Sequence, residues 1–308
     1  MAALSDYVKQ TESFLRDRSN RLLNLDDITV YVNRARRDIA LRTQCIRRVP
    51  PISGPITEIQ VTDVGSGYTV PTVTITPPDF PTGQLPYPPG SQATAEAQQL
   101  VGGISNVSVT FGGDGYFQPA VTINDPTGVG AKAVAVTVPL MVTSLNQEIY
   151  NFVDFPLSQF PGVGAPFAIL DVAMIFNGYR FAMRRYPFSA YQAYIRNYPR
   201  QYLYVPTIYS QFGQGAAGSL YMYPLPSQVY QFEADCLCLP MDLQDDGDYE
   251  ALPDPWQDAV PYFAAQMCYL ELQNFNSARA MIELYNERVR RYSDGARPRY
   301  MVGPYGRY

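Results

Sequence analysis

The chain has 308 residues, four cysteines, 25 tyrosines and no histidine, and its 23 basic and 28 acidic side chains give a net charge of −5. That length suggests about two domains with enough buried surface to fold without a disulfide or metal staple. The missing histidine excludes Ser-His-Asp and Cys-His catalysis and removes the usual zinc and non-haem iron ligand.

The N-terminal stretch predicts two helices. In the second, Asp26 or Asp27 is the expected cap of a run with apolar positions at Ile28, Val32, Ala35 and Ile39. Its other face carries Arg34, Arg37 and Asp38, with Arg36 and Arg42 nearby, and reads as a solvated or protein-facing surface. Nucleic acid is the sharper alternative, but no aromatic residues are interleaved with these arginines. Residues 1–48 carry ten bases against six acids.

Residues 49–138 differ in composition. They hold 24 of the chain's 49 prolines and glycines and six acids against the single base Lys132. They also hold a repeat: 56–78 aligns without gaps to 104–126, with 11 of 23 positions identical. The alternation Val73, Thr74, Ile75 and Val121, Thr122, Ile123 is that of half-buried strands. Gly65-Ser66-Gly67-Tyr68 and Gly113-Asp114-Gly115-Tyr116 mark the turns. A phosphate-binding reading of these glycines fails, because Pro71 and Pro119 block the helix that a phosphate cradle requires. Tyr68 and Tyr116 are candidate surface residues for stacking on a sugar or partner; a structural tyrosine after a tight turn is the plainer reading.

From 139 onward the pattern is mixed. Asn177-Gly178 between two apolar runs predicts a hairpin over 172–183. Ser189 with Gln192 resembles a capping box for a short helix ending before Pro199. Strands are expected at Tyr202–Tyr209, Ser219–Tyr223 and Val229–Leu239. Cys236 and Cys238 fall in the last of these as reduced core residues, since C-x-C is not a zinc-ribbon or thioredoxin spacing. Asp254 and Pro255 start a helix through Trp256, Val260, Phe263, Met267 and Leu270, with Pro261 predicting a kink or late start. A second helix through Ala278, Ile282, Tyr285 and Val289 should pack antiparallel to it. Residues 293–308 lack periodicity and are expected to be extended when unbound.

The fold class expected from these elements is α+β: a bundle of two N-terminal and two C-terminal helices with a small antiparallel β-region, plus an inserted all-β domain of two repeats. The boundaries are 1–48 and 139–292 for the scaffold, 49–138 for the insert and 293–308 for the tail. Asp242, Asp245, Asp246, Asp248 and Glu250 are the only candidates for acid–base work, and together they read as a solvated acidic loop that misses the calcium-loop spacing. No catalytic, cofactor or metal residues are expected. No apolar run of about 18 residues and no charged-then-apolar leader is present, so neither a membrane span nor a signal peptide is expected.

Several segments, taken in order, resemble the head-to-tail adaptor (connector) proteins of short-tailed bacteriophages. They are DITVYVNRARRDIALR at 27–42, Tyr198-Pro199-Arg200-Gln201, LYMYPLPSQVYQFEAD at 220–235, LPMDLQDDGDYEALPDPWQDAVPYFAA at 239–265, and the helix pair that follows. Residues 49–138 depart from a minimal adaptor, and their GSGYT-type repeat is similar to β-repeats that decorate phage structural proteins.

The resemblance implies a non-enzymatic virion protein assembled in the host cytoplasm. It implies a ring, typically of about twelve copies, between the portal protein and the tail nozzle protein. DNA would pass through its channel without specific binding. Arg297, Arg299, Tyr300, Tyr305, Arg307 and Tyr308 are the implied portal-docking residues, of types enriched at interface hot spots. The acids Asp242, Asp245, Asp246, Asp248 and Glu250 are candidates for the channel wall, where a basic lining would hold phosphate. The β-block is a candidate site for a tail fibre or spike; the alternative role is a receptor- or glycan-binding tail protein acting through 49–138.

Overall fold

The computed structural model describes residues 2–16, 23–79, 90–176, 179–197 and 203–296. Helix α1 (Leu4–Leu15) buries Leu4, Tyr7, Val8, Thr11 and Leu15 as one stripe. The Ala3 N–H donates to the Asp6 carboxylate at 3.0 Å, and Arg16 closes the helix in the left-handed region at φ 57°. Helix α2 (Leu25–Thr43) starts earlier than predicted. Asn24 has the extended cap backbone, and Asp26 and Asp27 lie in the first turn, where their charge favours the positive helix end. Ile28, Val32, Ala35 and Ile39 are buried as their spacing predicts, and Asn33 and Arg36 are buried with them.

After β1 (Arg47–Arg48) come six strands: β2 (Ile56–Asp63), β3 (Thr72–Ile75), β4 (Thr94–Leu100), β5 (Gly103–Phe111), β6 (Val121–Asn124) and β7 (Lys132–Thr137). Their sheet order is β4-β5-β2-β7, with β3 and β6 paired separately. The two repeats therefore exchange strands: the last strand of the first repeat pairs with the first strand of the second, and the reverse holds for β7 and β2. Ile56, Ile59, Tyr68, Ile75, Ala93, Ile104, Val107 and Tyr116 form a hydrophobic cluster of their own.

The next strands are β8 (Ile149–Asn151), β9 (Val163–Phe176), β10 (Tyr179–Ala182) and β11 (Arg184–Arg185), followed by helix α3 (Phe188–Asn197). Then come β12 (Leu203–Tyr204), β13 (Ile208–Phe212), β14 (Ser219–Tyr223), β15 (Leu225–Pro226) and β16 (Gln231–Pro240). They form the sheets β1-β16-β9-β10 and β11-β13-β14-β8, with β12 beside β15. β9 and β10 pair antiparallel with Tyr179 opposite Phe176; Asn177-Gly178 lies outside the described residues. The strand expected over 202–209 is broken around Pro206, because proline has no N–H to give a ladder. Ser189 does not cap α3, which begins one residue earlier.

The C-terminal helices are α4 (Asp254–Gln257), α5 (Val260–Glu271) and α6 (Phe275–Ala296). The chain bends at Asp258-Ala259 and restarts with Pro261 in the first turn of α5, the late start its position predicts. Trp256, Val260, Ala264 and Cys268 enter one core with α1, α2 and the inner face of the β16–β9 pair.

The fold class differs from the expectation. Among the described residues 30% are helical and 35% lie in strands, so the fold is mostly β and is not a helical bundle with a small β-region. The reason is β9. Its 14 residues run as one strand whose ladder with β16 extends from Gln231–Ile175 to Pro240–Val163, with bulges that absorb the mismatch. A two-sided, nearly continuous apolar run does not alternate, so periodicity understates its length.

Candidate functional site

The most constrained polar site lies where α2 meets the loop after β16. Arg36 occupies the inner stripe of α2 at 0% exposure, one turn from Val32 and Ile39. Its Nε donates to Glu250 Oε2 at 2.9 Å and its Nη2 to Oε1 at 2.9 Å, a two-pronged ion pair with both side chains fully enclosed. Its Nη1 donates to Asn33 Oδ1 at 2.9 Å and to the Met241 carbonyl at 2.7 Å. Glu250 also accepts the Tyr7 hydroxyl at 2.8 Å and the Leu252 N–H at 2.9 Å. Asn33 closes the network, donating to the Leu243 carbonyl and accepting the Leu243 N–H, both at 2.9 Å. Burial, reinforced by Glu250, pushes the Tyr7 phenol far above its usual range, so it remains a donor. Each charged atom is satisfied, which is what a buried pair needs to offset its desolvation.

Glu250 is therefore not a channel-wall residue. It is the internal anchor of the acidic loop, and its enclosure by α1 and α2 rules out a solvent-facing role. The other acids are exposed and have separate duties. Asp242 receives Arg37 Nη2 at 2.6 Å. Asp246 receives the Ser5 N–H at 2.7 Å, in the first turn of α1. The N–H groups of Asp245 and Gln244 hold the Asp248 carboxyl below the usual carboxylate range.

Tyr68 and Tyr116 are not surface residues either. They are 5% and 0% exposed and lie in the core of the β-block. Tyr68 Oη accepts the Ala131 N–H at 2.9 Å, and Tyr116 Oη accepts the Ala93 N–H at 2.8 Å. Each tyrosine of one repeat thus fastens the final strand region of the other. The Tyr68 ring is pressed flat against Gly128, where a Cβ would fall 2.4 Å from the ring. The repeat symmetry extends to two carboxylates. Asp125 accepts the N–H groups of Thr69 and Val70, and Asp79 accepts those of Phe117 and Gln118.

Arg297, Arg299, Tyr300, Tyr305, Arg307 and Tyr308 lie outside the described residues, as does Tyr198-Pro199-Arg200-Gln201. The four cysteines are free thiols. Burial is the leading cause that raises all four, with Cys238 and Cys268 pushed up to about 12. Among the described residues no cluster of three His, Cys, Asp or Glu side chains is placed to hold a metal, and no helix is long and apolar enough to cross a membrane.

Sequence reasoning missed Arg36. The signal was present: in the i, i+4 pattern Val32, Arg36, Ala40 the arginine stands where an apolar residue belongs. It also missed that residues 172–232 contain five arginines, eleven tyrosines and no acid. No family model matches the chain, and no curated protein matches it.

Proposed function

We propose that this chain is a structural virion protein, the adaptor ring that joins the portal to the tail nozzle of a short-tailed bacteriophage and continues the DNA channel between them. The supporting observation is the Arg36–Glu250 clamp. It locks residues 27–42 to residues 239–265, two of the stretches on which the adaptor resemblance rests, into one buried unit. Helices α5 and α6 pack on that unit, and the Arg- and Tyr-bearing tail follows α6 directly in the sequence. In this reading the tail carries the portal contact through Arg297, Arg299, Tyr300, Tyr305, Arg307 and Tyr308, residue types that concentrate binding energy at interfaces. The role requires rigid positioning rather than catalysis.

The test is co-sedimentation with portal rings from the same particle, followed by mass spectrometry of purified virions. The full chain is expected to bind the ring and to be present in the particle, and deletion of 297–308 is expected to abolish binding. Binding that survives the deletion removes the docking role of the tail. A full chain that neither binds portal nor occurs in particles removes the reading altogether.

A further inference from the structure

Strand β11 and helix α3 follow one another within the stretch 172–232, which contains no acid. Arg184 and Arg185 lie on β11 and Arg196 in the last turn of α3; all three are exposed, and none is ion-paired with a described carboxylate. Around them are aromatic rings that the fold leaves partly uncovered: Phe212 is 53% exposed and packs on Phe188 at 4.5 Å. Glu148, Phe188, Tyr191, Ile195, Arg196 and Tyr221 line an open cavity of about 210 Å³, in which the Tyr191 hydroxyl donates to the Glu148 carboxylate at 3.1 Å. A second surface of opposite character lies elsewhere on the scaffold, on the loop that the Arg36–Glu250 clamp holds rigid. It carries the exposed acids Asp242, Asp245, Asp246 and Asp248 and one exposed ring, Tyr249, at 58%.

We propose that the arginine–aromatic surface of α3 receives the acidic loop of a second copy of this chain, with the Tyr249 ring entering the cavity and the loop carboxylates meeting Arg184, Arg185 and Arg196. The two patches differ and lie on different elements, so the contact is head-to-tail, the kind that propagates from copy to copy and closes into a ring. A single aromatic anchor in a pocket, ringed by charge pairs, is how a small interface concentrates its affinity. The clamp contributes by presenting the loop in one conformation, so little ordering entropy is lost on docking. This contact rests on the adaptor reading, to which it assigns the surfaces between neighbouring copies.

Two variants of the full chain test it. One reverses the patch (Arg184→Glu with Arg196→Glu), and the other neutralises the loop (Tyr249→Ala with Asp245→Ala). Sedimentation over a concentration series is expected to show salt-sensitive self-association of the wild type, weakened at least about tenfold in either variant. An equimolar mixture is expected to stop at dimers, because the patch variant keeps its loop and the loop variant keeps its patch. Unchanged Trp256 unfolding midpoints confirm that both variants are folded. The proposal is overturned if the wild type stays monomeric, if either variant associates as the wild type does, or if the mixture grows past dimers. It is equally overturned if the patch reversal abolishes duplex DNA binding while self-association is unchanged, which assigns the surface to nucleic acid. Portal binding separates the two levels. Variants that bind portal and associate normally remove only this contact, whereas the expected self-association pattern without any portal binding removes only the adaptor reading.

Discussion

Replacing Glu250 with alanine tests how much of the scaffold depends on one buried charge. The substitution leaves the Arg36 guanidinium at 0% exposure without a counter-ion and removes the acceptor of the Tyr7 hydroxyl and the Leu252 N–H. Breaking one side of a buried pair costs about 3–5 kcal/mol. The two stranded neutral donors place the loss in the upper part of that range, since each such group costs about 1 kcal/mol or more. Against a typical total of about 5–15 kcal/mol this is a large fraction. The assay is urea unfolding followed by Trp256, the only tryptophan, which sits in α4 in edge contact with Tyr292 and so reports the helical layer. Replacing both partners, Arg36→Met with Glu250→Leu, leaves no orphaned charge and is expected to recover about 2 kcal/mol or more of the loss. A single variant within about 1 kcal/mol of the wild type refutes the reasoning. So does a double variant whose loss equals the sum of the losses of Arg36→Met and Glu250→Leu measured singly, because contacting partners must couple.

Three further outcomes follow from the same structure. Tyr68→Phe and Tyr116→Phe should each cost about 1 kcal/mol, with faster hydrogen exchange in β7 for the first and in β4 for the second; exchange unchanged in both strands contradicts the reciprocal bonding. At Asp125 desolvation acts to raise the pKa, but the N–H groups of Thr127, Thr69 and Gly128 with the Thr127 hydroxyl outweigh it and hold the carboxyl well below its usual value of 3.8. The stability it contributes is therefore present above that value and lost as pH falls through the folded pKa, and Asp125→Asn should flatten the acid limb of the β-block's unfolding curve. Burial raises Tyr7, Tyr191 and Tyr285 well above 10.0, helped by Glu250, Glu148 and Asp38 respectively. Their stability is thus intact below pH 10 and declines above it, and phenolate absorbance should rise in step with unfolding; titration of all tyrosines before the fold is lost contradicts this.

Much of the local structure was legible from periodicity and from proline and glycine. The buried stripe of α2, the late start at Pro261 and strand β14 follow from spacing alone, because a soluble chain must put its apolar face inward. What escaped was long-range. The pairing of β9 with β16 joins residues some sixty positions apart through apolar runs that carry no period. The buried roles of Arg36, Glu250, Tyr68 and Tyr116 depend on partners far along the chain, and composition alone cannot separate an exposed charge from a clamped one. Glu250 sits among five acids in nine residues, yet it alone faces inward, because Arg36 waits there.

The strand exchange in the β-block bears on how the chain is made. As the protein leaves the ribosome, β2 emerges well before β7, so Asp63 must wait for Lys132. The first repeat cannot close on itself in the meantime; its tyrosine latch needs Ala131, and it holds an open strand edge until the second repeat is translated. The two repeats are thus one cooperative unit with a delayed commitment, and the nascent chain is most exposed to aggregation while the last few strands are still being added.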